Sequence, residues 1–250
     1  MSPALRGVIF DLGSTLLRHR NDDHATPTRM RADLAGFLAA EGLPLDRDEF
    51  IALFAAKMDE FFIQRLNDWV EVTSAYVLRE TLAELGQPPL TDEMTGRALA
   101  AYFAYSETLW EPMPAVYETL DAVAERGYRM GIISNASDDA NVQRMIDNAG
   151  LRRWFDPILV SAVVGVRKPN PRIFEMALEA WSMTPAEAVM VGDTLGADVL
   201  GAQMAGMRSV WFASRAGAPA NAAHRHTIQP DAIIHHLAEL PAVLASMENS

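Results

Sequence analysis

Apolar runs that stop abruptly at polar side chains constrain this chain more than any other feature of its sequence. Residues 8–10 form a short run of β-branched and aromatic side chains that ends at Asp11, which predicts a strand buried on both faces. Three later runs end similarly, at Ser134 and Asn135, at Gly192 and Asp193, and at Ser161 ahead of Lys168. Ligands of open α/β sheets bind at the carboxyl edge of the strands. The four runs therefore predict one rim that gathers two carboxylates, a hydroxyl with an amide, and an ammonium.

Charge and composition exclude several classes of protein. The 250 residues suffice for one large domain or two smaller ones. A formal net charge of −12 argues against a nucleic-acid or anionic-membrane partner, because phosphate groups would be repelled. The absence of cysteine rules out disulfides and thiolate chemistry. No apolar run reaches the ~20 residues that span a bilayer, and the first residues leave no room for a signal peptide, so we expect a cytoplasmic protein.

Helical periodicity without a convincing strand follows a polar, loop-like stretch at residues 18–26. Four candidate helices, separated by breaks rich in Gly, Pro and Asn, span residues 28–41, 46–66, 69–85 and 91–109. Asp46 and Thr91 are typical of helix starts. Four antiparallel helices of this size predict a small four-helix bundle. Its aromatic residues are expected mostly in the bundle core, with one or two facing the site: Phe50, Phe54, Phe61, Phe62, Tyr102 and Phe103.

Helix and strand patterns alternate from residue 115 onward. Helices are predicted at residues 115–126, 138–149, 171–180 and 197–205. Strands are predicted at residues 128–133, 157–160, 188–191 and 208–212, with a last strand–helix pair within 232–246. This alternation predicts a parallel sheet with helices on both faces, which the first strand must join to be buried. We therefore predict an α/β, Rossmann-like catalytic core formed by residues 1–17 and 111–250, and an inserted all-helical cap at residues 18–110.

The polar residues of the predicted rim suit phosphoryl transfer. Oxygen ligands of the kind that Mg²⁺ prefers come from Asp11, Asp193 and Asp198. Hydrogen-bond donors and a compact positive charge come from Ser134, Asn135 and Lys168. Phosphoryl transfer depends mainly on such positioning and charge stabilisation. Asp11 would be either a metal ligand only or also the nucleophile, although taken alone it could equally begin a turn or cap a helix.

Four stretches of the chain, in order, carry a family resemblance. They are Phe-Asp-Leu-Gly-Ser-Thr-Leu at 10–16, Ile-Ser-Asn at 133–135, Lys-Pro-Asn-Pro at 168–171, and Val-Gly-Asp at 191–193 with Asp198. With these motifs the chain resembles the haloacid dehalogenase-like (HAD) hydrolases, in the phosphatase-rich branch that has a helical (C1-type) cap after the first motif. Motifs of other nucleotide-binding and hydrolase families, GxxxxGK[ST], GxGxxG and GxSxG, do not occur in the sequence.

The resemblance implies a role for each motif residue. Asp11 is expected to attack phosphorus and to contact the metal. Asp193 is expected to ligate Mg²⁺, and Asp198 to help through the metal's water or by orienting Lys168. Phosphoryl oxygens are expected to be bound by Ser134, Asn135 and Lys168.

Gly13 departs from the family pattern. Most of these phosphatases carry there a second Asp, which serves as general acid and base. The family's metal contact at that position is through the backbone carbonyl, which Gly13 retains. General acid–base catalysis is typically worth ~10²–10⁴ in rate, so we expect reduced or substrate-selective activity. His19, or a cap carboxylate such as Glu107, could take over the role, although a solvated loop histidine is the simpler interpretation of His19.

We therefore predict a Mg²⁺-dependent phosphomonoester hydrolase that acts through an aspartyl-phosphate on Asp11, with a small phosphorylated metabolite as substrate. The alternative is a catalytically weakened phosphate-binding or regulatory protein. A phosphonate-cleaving enzyme with a Schiff base on Lys57 is less favoured, because that lysine also fits a solvated helix face. A dehalogenase is disfavoured because those members are metal-free, carry an aromatic residue at the Gly13 position and lack Gly-Asp in the fourth motif.

No role is assigned to the C-terminal histidines, His224, His226, His235 and His236, and no motif indicates the natural substrate or the oligomeric state.

Overall fold

The computed structural model describes residues 4–20 and 25–248, so part of the predicted loop and both ends of the predicted core lie outside the described residues. The strands are β1 (Gly7–Phe10), β2 (Leu17–His19), β3 (Trp110–Pro112), β4 (Arg129–Ser134), β5 (Ile158–Val160), β6 (Ala188–Gly192), β7 (Arg208–Phe212) and β8 (Ala232–Ile234). The longer helices are α1 (Ala25–Ala40), α2 (Arg47–Asp68), α3 (Ser74–Glu84), α4 (Asp92–Glu107), α5 (Val116–Glu125), α6 (Asp139–Asn148), α8 (Pro171–Trp181) and α11 (Leu240–Glu248). Shorter helices are α7 (Ser161–Val164), α9 (Leu200–Met204), which continues a π-helical turn at Leu195–Val199, and α10 (Pro219–Ala222).

Six strands form one parallel sheet in the order β5-β4-β1-β6-β7-β8. Phe10 at the end of β1 lies between Ile132 of β4 and Val191 of β6. Asp11 therefore leaves the sheet at its carboxyl edge, between the ends of these two strands. The first strand is separated in sequence from the others and still occupies the middle of the sheet, which confirms the predicted Rossmann-like architecture.

Both faces of the sheet are covered by helices, as the continuous apolar character of the strands requires. On one face Val8 and Phe10 belong to a buried cluster that includes side chains from α5, α6 and α11. On the other face Ile9 packs with Ile173 and Phe174 of α8. Successive residues of β1 thus point to opposite faces, and all four are buried.

The helices α1–α4, here called the helical insertion, share an apolar cluster of their own. Phe50 and Phe54 are fully buried there, and Tyr102 and Phe103 are nearly so. Phe62 is 51% exposed and lines the cavity described below, as does Phe103. The expectation that most of these aromatic residues form core while one or two face the site therefore agrees with the structure.

Some sequence predictions about elements were wrong in their boundaries. The antiparallel ribbon of β2 and β3 was not predicted, and the predicted borders at residues 17/18 and 110/111 fall inside its strands. The third helix begins at Ser74 rather than at residue 69, because Val70 pairs with Val166 in an isolated bridge between the insertion and the core. None of the helices in the described ranges is both long enough and apolar enough to cross a membrane.

Candidate active site

Lys168 joins two of the predicted carboxylates at the carboxyl edge of the sheet. Its Nζ lies 2.7 Å from an oxygen of Asp11 and 2.7 Å from an oxygen of Asp198, and it donates to the carbonyl of Ile133 at 2.7 Å. The lysine side chain is 1% exposed. One oxygen from each of Asp11, Asp193 and Asp198 lies within 4.8 Å of the others. Lys168 lies 157 positions after Asp11 in the sequence, and Asp193 and Asp198 lie farther still. The structure thus brings distant parts of the chain together at one point.

Close packing explains why the fourth motif pairs a glycine with an aspartate. A Cβ atom on Gly192 would lie 2.3 Å from Cγ of Asp198, so only glycine fits at the end of β6. Asp198 accepts a hydrogen bond from the amide of Thr194 at 2.9 Å, which leaves its other oxygen facing Lys168. This arrangement fixes Asp198 as a partner of the lysine.

Two residues that sequence reasoning missed hold the loop after β6. The indole nitrogen of Trp211 and the amide nitrogen of Asn221 each donate to the carbonyl of Asp193 at 2.9 Å. The side-chain oxygen of Asn221 accepts from the amide of Leu195 at 2.9 Å. Asn221 is buried, and because it belongs to no motif, no sequence signal pointed to it.

Asn135 supports the lysine loop with its side chain. Its amide nitrogen donates to the carbonyl of Lys168 at 2.9 Å, and its amide oxygen accepts from the Lys168 backbone nitrogen at 2.8 Å. Both functions of the amide are therefore engaged by the backbone of Lys168. Ser134 is buried at the end of β4 and lines the cavity beside it.

The electrostatics of the cluster favour a divalent cation. Burial raises the pKa of Asp11 to about 6, although Lys168 acts in the opposite direction. Burial raises the pKa of Asp193 to about 8, and the charges of Asp11 and Asp198 add to this effect. Burial alone would lower the pKa of Lys168, but attraction to Asp11 and Asp198 raises it, so the lysine stays cationic. Three buried carboxylates against one ammonium form an all-oxygen donor set with excess negative charge, which fits Mg²⁺.

A cavity of about 960 Å³ opens above these groups and is lined by both the sheet edge and the helical insertion. Trp110 lies beside the first motif, where a Cβ atom on Gly13 would be 3.4 Å from Cη2 of the indole. His19 also lines the cavity, and its ring packs edge-on against Trp110 with centroids 5.1 Å apart. The indole therefore borders the space into which a longer side chain at position 13 would extend.

Of three other residues that the sequence singled out, Glu107 and His224 lie elsewhere than expected, whereas Lys57 agrees with the favoured interpretation of a lysine with no catalytic role. Glu107 is not among the described residues that line the cavity, and it pairs with Arg144 at 2.8 Å. Lys57 is likewise outside that lining, and its hydrogen bond to Glu84 raises its pKa, the opposite of what an amine nucleophile needs. His224, to which the sequence assigned nothing, does line the cavity and packs close to Gly196.

Comparisons with known proteins point to one family. The phosphoserine phosphatase of Thermus thermophilus is 35% identical over 149 residues, which are 60% of this chain and 58% of that protein. The chain thus spans little more than half the length of this relative. The glyceraldehyde 3-phosphate phosphatase of Methanothermobacter thermautotrophicus is 30% identical over 206 residues, 82% of this chain and 84% of that protein. A 2-haloacid dehalogenase from Pseudomonas syringae pv. Tomato is structurally similar with a TM-score of 0.67 and 29% identity, covering 97% of this chain and 99% of that one.

A family model described as haloacid dehalogenase-like hydrolase matches residues 5–206, which is most of the chain. The matched range includes all four motifs and the whole helical insertion. The chain belongs to the haloacid dehalogenase-like hydrolases.

Proposed function

We propose that the protein is a magnesium-dependent phosphomonoester hydrolase that acts on a small phosphorylated metabolite through an aspartyl-phosphate on Asp11. The observation that carries this proposal is the convergence of Asp11, Asp193, Asp198 and Lys168 at the floor of one cavity. Phosphatases among the family relatives support the same reaction class. In this proposal residues 1–17 and 111–250 form the catalytic core, and residues 18–110 act as a cap.

Magnesium would be held by Asp11, Asp193 and Asp198 together with the backbone carbonyl of Gly13. When bound, the ion supplies positive charge that offsets the carboxylates and the phosphoryl oxygens. The chemistry of the donor set supports this assignment, because the carboxylates outnumber the single lysine that pairs with them.

The chain's own residues then perform the two displacements. An oxygen of Asp11 attacks phosphorus, and the bond between phosphorus and the leaving oxygen breaks as the aspartyl-phosphate forms. Water then attacks that phosphorus, inorganic phosphate departs, and the carboxylate of Asp11 is restored. Lys168 favours the ionised form of Asp11 and stabilises charge on the phosphoryl oxygens, with Ser134 as a donor and Asn135 fixing the lysine loop. Gly13 provides no acid, so the leaving oxygen takes its proton from solvent.

Phosphate release from p-nitrophenyl phosphate tests the proposal. We expect turnover with Mg²⁺, loss of turnover on chelation by EDTA, and a fall of at least about 10³-fold in kcat for Asp11→Asn, because the nucleophile is removed. Asp59→Asn is the matched control, since this aspartate lies on the exposed face of α2 and should leave kcat unchanged. Equal activity of the wild type and Asp11→Asn would refute the proposed mechanism.

A phosphate-binding or regulatory protein is the second candidate, favoured by the absence of a carboxylate at Gly13. Mg²⁺-dependent phosphate binding without turnover in the wild type would establish it. Because the structural neighbours include dehalogenases, halide release from 2-chloropropionate belongs in the same assay series. Halide release without phosphatase activity would replace the phosphatase proposal.

A further inference from the structure

A second cationic centre lines the cavity, apart from the lysine of the carboxylate cluster. Arg65 near the end of α2 and Arg167, directly before Lys168, both contribute to the cavity wall. Their side chains are only 9% and 13% exposed. Arg65 comes from the helical insertion and Arg167 from the core, so this wall is formed by both parts of the chain.

One carboxylate holds both guanidinium groups. Glu71, whose side chain is 1% exposed, lies 3.0 Å from Arg65 through one oxygen and 3.5 Å from Arg167 through the other. The same carboxylate accepts hydrogen bonds from Ser161 at 2.6 Å and from the amide of Val72 at 3.2 Å. Glu71 is not among the described residues that line the cavity, so the arginines lie between it and the cavity.

Positive charge is in excess at this wall. Two guanidinium groups share one carboxylate, and the buried Nε of Arg65 has no hydrogen-bond partner within the described residues. Apolar neighbours in the cavity lining, among them Phe62, Trp69 and Phe103, lower the local dielectric constant and so strengthen any charge interaction there. An anionic ligand group would meet two preorganised arginines whose charge the protein balances only in part.

We propose that Arg65 and Arg167 bind a second anionic group of the substrate, so that the enzyme selects phosphomonoesters whose leaving group carries a carboxylate or a further phosphate. This inference rests on the proposed phosphatase function, because it assigns the transferred phosphate to Lys168 and the cluster of aspartates. Guanidinium groups match the planar or triangular oxygens of both anions with paired hydrogen bonds. Glu71 acts as a positioning residue that orients the two arginines.

Equilibrium binding to the Asp11→Asn variant with Mg²⁺ tests the inference without turnover. The first pair of probes is O-phosphoserine and O-phosphoethanolamine, which differ only in the carboxylate. The second pair is 1,3-propanediol bisphosphate and 3-hydroxypropyl phosphate, which differ only in the second phosphate. Isothermal titration calorimetry should give a Kd about 10- to 100-fold lower for the doubly anionic member of at least one pair, and that pair identifies which anion is selected.

Arginine variants in the Asp11→Asn background show whether these side chains cause the preference. Arg65→Gln and Arg167→Gln should bring the ratio of the two Kd values towards one. Each ratio comes from a single preparation, so a fraction of unfolded protein affects both Kd measurements equally. Arg79→Gln is the matched control, because this arginine pairs with Asp92 on the surface of the insertion and should keep the full ratio.

Equal Kd values within both pairs, no binding of any probe, or a ratio unchanged in both cavity variants would each overturn the inference. A purely structural role for the arginines would weaken the binding of both members of a pair alike. The proposed phosphatase function is judged separately, by the activity of the wild type against Asp11→Asn, so the two proposals can fail independently.

Discussion

Gly13 and Trp110 lie beside Asp11, the proposed nucleophile, and border the space next to it. A Cβ atom at position 13 would lie 3.4 Å from Cη2 and 3.7 Å from Cζ3 of the indole, so it would fit in van der Waals contact with the ring. The indole of Trp110 is held edge-on by His19. Position 13 thus carries no acid, and the ring of Trp110 borders any side chain placed there.

The rate should consequently depend on how well the leaving group departs without a proton. We expect kcat/KM for p-nitrophenyl phosphate to exceed that for benzyl phosphate by at least about 10²-fold, because general acid catalysis of that size is missing. Benzyl phosphate is the comparison because it has a similar ring and a poor alkoxide leaving group. Gly13→Asp combined with Trp110→Ala, which makes room for the carboxylate, should narrow the gap. Equal rates on both esters in the wild type would contradict this explanation.

The start of β6 shows how one turn can stabilise the sheet. Glu187, in the turn before β6, accepts from the amide and the hydroxyl of Thr184, both at 2.8 Å, and from Arg6 ahead of β1 at 2.7 Å. The backbone amide of Arg6 also donates to the carbonyl of Glu187 at 2.7 Å. This residue thus joins the entrances of the two central strands.

Stability that depends on Glu187 should be lost in acid. The hydrogen bonds from Thr184 and Arg6 lower the pKa of Glu187 to about 2 from its ordinary value of 4.5. A carboxylate whose pKa is lowered by folding stabilises the native state above its unfolded pKa, and this contribution is lost as the pH falls from about 4.5 to about 2. Glu187→Gln should therefore have a lower Tm than the wild type at pH 6, and the difference should shrink as the pH approaches 2. A Tm difference that stays constant over this range would refute the assignment.

Element boundaries could be predicted where the signal is local. Asp46 caps α2 by accepting from the amides of Asp48 and Glu49, and Thr91 caps α4 in the same manner, as the sequence indicated. The ribbon of β2 and β3 gave no such signal, because three-residue strands show no alternation and the pairing of Arg18 with Glu111 spans 93 residues. Local chemistry specifies caps, whereas short strands depend on distant partners.

The same distinction applies to the whole molecule and its site. Residues carried by motifs at strand ends could be predicted, because a parallel sheet brings its carboxyl ends to one edge, and Asp11, Lys168 and Asp193 do lie there. The contacts of Glu71 with Arg65 and Arg167 could not be predicted, because these residues belong to no motif. The contact with Arg167 also joins the insertion to the core across a large sequence separation. The end of the cavity that holds the carboxylates and Lys168 could thus be predicted from the sequence, whereas the wall formed by Arg65 and Arg167 could not.

Docking of the helical insertion onto the core depends on a short stretch around Glu71. Its amide donates to the carbonyl of Gly165 at 2.9 Å, and the amide of Arg167 donates to the carbonyl of Trp69 at 3.0 Å. Ser74 adds a backbone bond and a hydroxyl contact to Ser137, both at 2.8 Å. The carboxylate of Glu71 is the charged centre of this contact, since it faces one arginine from each side.

Removing that charge should separate the unfolding of the two parts. Glu71→Gln leaves two buried guanidinium groups without their carboxylate, which typically costs about 3–5 kcal/mol. The free energy of unfolding in urea should fall by that order, and calorimetry should show the insertion melting before the core, because their apolar clusters are separate. Glu84→Gln is the matched control, as Glu84 pairs with Lys57 through a half-exposed carboxylate and its loss should cost under about 1 kcal/mol. If Glu71→Gln unfolded like the control, the insertion would be held by its backbone contacts alone, and the arginines would not need the carboxylate to keep their places in the cavity wall.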